Sequence, residues 1–78
     1  MKIQDFVDAL SAGKTLQHTR YKLVTIGLTA SWKGAWILHD PSFAMFFDDF
    51  VVFEDEIMCK QNDRIVGIIE PESWVVKE

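Results

Sequence analysis

A change of hydrophobic period divides this chain near residue 14. Before it, Ile3, Phe6, Val7 and Leu10 fall at i, i+3, i+4 and i+7, the stripe that one face of an α-helix buries. Asp5 and Asp8 lie off the stripe, and Asp5 sits near the positive end of the helix dipole. Gly13 is placed to close the helix in the left-handed conformation, with Lys14 following. Burying the four apolar side chains is worth about 6–12 kcal/mol before entropy, at about 1.5–3 kcal/mol each. After residue 14 the sequence is of β type. The expected fold class is α+β, an N-terminal helix packed on a small antiparallel β-sheet in a single domain spanning residues 1–78.

Residues 21–29 are rich in β-branched side chains and read as a strand, with Val24, Ile26 and Leu28 on the face that meets the helix. Ala30 and Ser31 read as a turn, and residues 32–39 as the returning strand, with Trp32, Gly34, Trp36 and Leu38 sharing a side. Residues 40–50 admit two readings. Asp40-Pro41 suits a helix start, and Phe43, Phe46, Phe47 and Phe50 repeat at helical spacing, which favours a short second helix near 41–50. The alternative is an aromatic strand after a Pro turn. Strands are expected at 51–53, 57–60, 64–69 and 74–76, with turns at Glu54-Asp55-Glu56 and Asn62-Asp63 and a break at Pro71-Glu72-Ser73.

Size limits how such a fold is held. A 78-residue domain buries only about 60% of its unfolded surface, and small domains usually carry a staple. Cys59 is the only cysteine, so no internal disulfide forms, and with His18 and His39 far apart no structural zinc site is expected. Efficient aromatic packing or self-association remains, and a homo-oligomer is expected. The 49% hydrophobic content excludes disorder. No export signal or run of about 20 apolar residues appears, so a cytoplasmic protein that does not enter membranes is expected.

No constellation names a reaction, and the chain is expected not to be an enzyme and to need no cofactor. Asp48 and Asp49 are adjacent and point apart, Glu54-Asp55-Glu56 lacks calcium-loop spacing, and the four glycines are scattered singly. Cys59 lies in an apolar strand and reads as a buried structural thiol. Charge is divided instead: residues 1–39 carry five basic residues against two acidic, and residues 40–78 three against ten. Such a division reads as interaction surface. In the basic half, Arg20, Tyr21, Trp32 and Lys33 combine aromatic planes with cations, the mixture that stacks a base and neutralises phosphate. Its counter-reading is that the tryptophans are core. A net charge of −4 argues against long nucleic acid and leaves a small nucleotide.

The motif Phe6-x-x-Ala9-Leu10-x-x-Gly13-Lys14, the Arg20-Tyr21 pair, the following sheet and the closing Glu72-Ser73-Trp74-Val75-Val76 together resemble small phage proteins of the second Thoeris anti-defence type. The resemblance covers about the first twenty residues and the last seven. Tyr21 stands where that family carries tryptophan, and residues 43–56 have no counterpart in its pattern. Those proteins are homotetramers that sequester cyclic nucleotide-derived immune signals without cleaving them. The resemblance implies a sponge in the host cytoplasm, with Arg20 and Tyr21 as ligand contacts and Trp74 as core. A second expectation comes from charge alone. Asp48, Asp49, Glu54, Asp55 and Glu56 would form an acidic face that occupies the basic, nucleic-acid-binding groove of a host defence protein.

Overall fold

The apolar stripe forms helix α1 (Ile3–Ser11) in the computed structural model, which describes residues 1–78. Gly13 adopts φ 75°, and the amides of Gly13 and Lys14 donate to the carbonyls of Leu10 and Ala9, closing the helix as its sequence requires. Phe6, Ala9 and Leu10 are buried. Eight strands follow: β1 (Leu16–His18), β2 (Thr25–Leu28), β3 (Trp36–His39), β4 (Ala44–Phe47), β5 (Asp49–Phe53), β6 (Glu56–Gln61), β7 (Arg64–Ile69) and β8 (Trp74–Val76). A 3-10 turn at Pro71–Ser73 separates the last two. The fold is α+β, as expected.

The strands form two antiparallel sheets, ordered β4-β3-β2-β1-β8 and β5-β6-β7. In the first, β8 returns to pair with β1, Leu16 opposite Val76 and His18 opposite Trp74. The inner faces of both sheets and α1 share one core, built from Phe6, Ala9, Leu10, Leu16, Ile26, Phe47, Ile57, Cys59, Ile69 and Trp74. The Phe6 ring packs edge-on against Trp74, centroids 6.5 Å apart. Trp36 stacks on Phe47 and meets Phe50 edge-on, while its indole N–H donates to the Leu10 carbonyl at 3.2 Å. Trp36 and Trp74 are therefore structural.

Residues 41–50 form no second helix. The Asp40 carboxylate accepts from the amides of Ser42 and Phe43 and from the Ser42 hydroxyl, and the Asp40 amide donates to the Phe43 carbonyl. These bonds close a tight turn in place of a helix cap, and the chain returns as β4 beside β3. The helical spacing of the phenylalanines has another cause. The chain bends at Asp48 between β4 and β5, which adds one residue to the alternation, so Phe47 and Phe50 both reach Trp36 although they lie three apart.

Two further expectations shift. The strands begin later, at Thr25 and Trp36, because Val24 is tied by its amide to the Tyr21 carbonyl and Gly34 to Ser31. Of the face expected to meet the helix, only Ile26 is buried; Val24 is half-buried and Leu28 is 60% exposed. Leu16 and Trp74 fill the core there instead.

Candidate functional site

The β2–β3 loop, residues 29–35, carries the most exposed aromatic side chain of the molecule, Trp32 at 91%. Gly34 explains the loop's path. A Cβ on Gly34 would sit 2.6 Å from the Phe47 carbonyl oxygen and 2.8 Å from its carbon, so only glycine lets the loop press against β4. The Ala35 amide donates to that same carbonyl at 3.0 Å. Further on, the Gln61 side-chain amide donates to the Lys33 carbonyl at 2.7 Å, fastening the loop to the end of β6. The Lys33 ammonium lies 5.7 Å from the Trp32 ring centre and 5.4 Å from that of Phe46, within cation–π range of both. Trp32 and Lys33, with Phe43, Phe46, Gln61 and Asn62 among their neighbours, line a groove of about 620 Å³ that contains no acidic side chain.

Arg20 and Tyr21 occupy the β1–β2 turn, at the other end of β2. His18 shapes this turn: its Nδ1 accepts from the amides of Arg20 (3.1 Å) and Tyr21 (3.2 Å), and its ring lies between those of Tyr21 and Trp74. The Arg20 guanidinium sits 5.7 Å from the Tyr21 ring centre. Tyr21 lines a separate groove of about 560 Å³ with Lys22, Leu23, Val24, Asp40, Pro41 and Ser42. Partial desolvation acts to raise the Asp40 pKa, but the hydrogen bonds from Ser42 and Phe43 outweigh it and hold the carboxyl below its ordinary value. This groove therefore carries a fixed negative charge beside its lysine.

The four basic–aromatic candidates thus form two sites, not one, and no residue lines both grooves. Successive hairpins of an antiparallel sheet turn at opposite ends, which separates positions that lie 11 residues apart in sequence. Phe43, Phe46 and Gln61 were not legible as site residues. Phe43 and Phe46 were absorbed into a helical pattern, and Gln61 comes from the other sheet.

The acidic candidates are likewise divided along β5. Asp48 and Asp49 stand at its start, where the Asp48 carboxylate accepts from the Asn62 amide (3.2 Å) and that of Asp49 accepts from the Phe50 amide (2.8 Å). Glu54, Asp55 and Glu56 stand at its far end, with Glu54 at φ 55° in the turn. Asp55 and Glu56 line a groove with Glu70 and Glu72, acidic residues outside the expected set, beside Lys2. No family model, curated protein or solved structure matches the chain.

Proposed function

We propose that this protein is a non-enzymatic binder that sequesters a small nucleotide, of the cyclic nucleotide-signal class, in the groove of Trp32 and Lys33. The observation that carries this reading is the 91% exposed Trp32 beside Lys33, on a loop that Gly34 and Gln61 hold in place. A solvated indole on a fastened loop leaves its ring face open for a planar base to stack on. The ring offers a stacking plane for a base, the Lys33 ammonium is positioned for a phosphate, and the groove presents no carboxylate to repel it. The Tyr21 groove suits an anion less well because Asp40 holds its charge there. The likeness of the chain's two ends to phage anti-defence proteins supports the same reading and suggests a counter-defence role in a host cell.

Isothermal calorimetry against a panel of linear and cyclic nucleotides tests it. Trp32→Ala should weaken binding about 5- to 150-fold, matching the roughly 1–3 kcal/mol that stacking contributes per base. Lys33→Glu should weaken it further at low salt, and the nucleotide should be recovered intact after denaturing the complex. No heat from any nucleotide up to about 1 mM, a level at which even weak specific binding registers, would remove the proposal, as would recovery of a cleaved ligand.

A second reading keeps one specific support. Asp55, Glu56, Glu70 and Glu72 gather around a single groove, an acidic surface suited to the basic groove of a host protein. Charge reversal at Glu70 and Glu72 would abolish capture of such a partner, while leaving nucleotide binding at Trp32 unchanged.

A further inference from the structure

The outer face of the β5-β6-β7 sheet breaks the rule that a solvated antiparallel sheet alternates apolar inside with polar outside. Register places Val51, Met58 and Ile68 in one row across the three strands, with Phe53 and Ile65 on the same face. The opposite face carries the buried Ile57, Cys59 and Ile69, so no core remains for the outer row to join. Val51, Phe53, Ile65 and Ile68 are each 44–57% exposed. The central strand β6 sets Glu56 and Lys60 on either side of Met58, also facing outward, with the exposed Asp49 of β5 opposite Lys60 on the same face.

We propose that this face binds a second copy of the same chain, sheet against sheet, with the two β6 strands antiparallel. The charges of the central strand select both the occupant and the orientation, while Asp49 of each copy meets only Phe53 of the other. A two-fold axis lying in the interface and crossing the strands through Met58 places Glu56 of each copy opposite Lys60 of the other. The same axis lays the Val51-Met58-Ile68 row on its own copy. A two-fold axis along the strands would instead set Glu56 against Glu56 and Lys60 against Lys60. Negative, apolar and positive residues along one strand are thus their own complement under a single symmetry operation, as an isologous interface requires. The surface has an apolar centre flanked by charge, the usual anatomy of such contacts.

Sedimentation velocity of the full chain between about 1 and 200 µM, a range that brackets micromolar affinity, provides the test. The wild type should be a dimer at the upper end. Ile68→Asp, at an exposed position, should be monomeric with an intact circular dichroism spectrum. Glu56→Lys and Lys60→Glu should each weaken the dimer about tenfold, because one substitution turns two symmetric attractions into repulsions. The double variant Glu56→Lys/Lys60→Glu should regain wild-type affinity, since the charges meet again in exchanged positions. That rescue keeps the test decisive even if Ile68→Asp proves insoluble. A wild type that stays monomeric throughout would overturn the proposal and leave the face to a different partner. A double variant no tighter than the singles would overturn the antiparallel pairing.

Discussion

Gly34→Ala introduces one methyl group at a place where the neighbour is backbone. The new Cβ would lie 2.6, 2.8 and 2.9 Å from the oxygen, carbon and nitrogen of Phe47. Ordinary contact begins at 3.4 Å, so the loop must lift by about 0.8 Å, because the obstacle is the backbone of β4, held in its pairing with β3. Overpacking of this kind costs about 1–3 kcal/mol. Lifting the loop also stretches the 3.0 Å bond from the Ala35 amide to the Phe47 carbonyl, worth about 0.5–1.5 kcal/mol more. A total near 2–4 kcal/mol is a large share of the roughly 4–12 kcal/mol expected for a domain of this length. Urea unfolding followed by tryptophan fluorescence should show a midpoint lower by about 2–4 M, taking an m-value near 1 kcal/mol/M. Gly67→Ala is the control. There the obstacle is the thioether end of Met45, a flexible side chain that can turn aside, and the cost should stay below about 1.5 kcal/mol. An alanine at 34 as stable as wild type, or one cheaper than alanine at 67, would refute the account of the loop. The same lift should weaken nucleotide binding by displacing Trp32 and Lys33.

Phe6→Ala removes a fully buried ring and its edge contact with Trp74; a loss of about 3–5 kcal/mol should leave much of the protein unfolded in a thermal melt. Arg20→Ala touches only an exposed side chain whose turn is held by His18, so its melt should match wild type within about 0.5 kcal/mol. Cys59 is buried, and desolvation pushes its thiol from 9.0 up to about 12. A thiol reagent at pH 8 should therefore react only as fast as the protein opens. The unfolded thiol ionises near 9 while the native one keeps its proton, so this contribution to stability is full below pH 9 and is lost as pH rises towards 12. Cys59→Ala should flatten the alkaline limb of a stability–pH curve relative to wild type.

The helix was legible because four apolar residues at helical spacing and a following glycine state both the element and its end. The Asn62-Asp63 hairpin was legible for a similar local reason: both residues take positive φ, 52° and 65°, which their side chains tolerate. The aromatic stretch after Asp40 was not. Its periodicity was produced by a bend, and a bend of one residue converts strand spacing into helix spacing over the few positions it spans. The site failed for a reason of distance. Trp32 and Trp36 share a spacing that puts both on one face of a strand, but the strand begins only at Trp36, so one packs against the core and the other stands 91% exposed. Where the loop begins is decided by the clearance at Gly34, a tertiary contact with Phe47 that no local pattern encodes.

The bend at Asp48 gives both sheets a common spine. Its amide donates to the Lys60 carbonyl and its carboxylate receives the Asn62 amide, so the one residue that leaves the first sheet is already tied to the second. Neither sheet can then open by peeling its own edge along this strand, because each is anchored through the other. In hydrogen-exchange measurements the amides of Phe47 and Asp48 should be released only in global opening, sharing one free energy with the inner amides of β6. A protein of this size with two sheets would otherwise be expected to breathe in parts, and the kink should make this one exchange as a single cooperative unit.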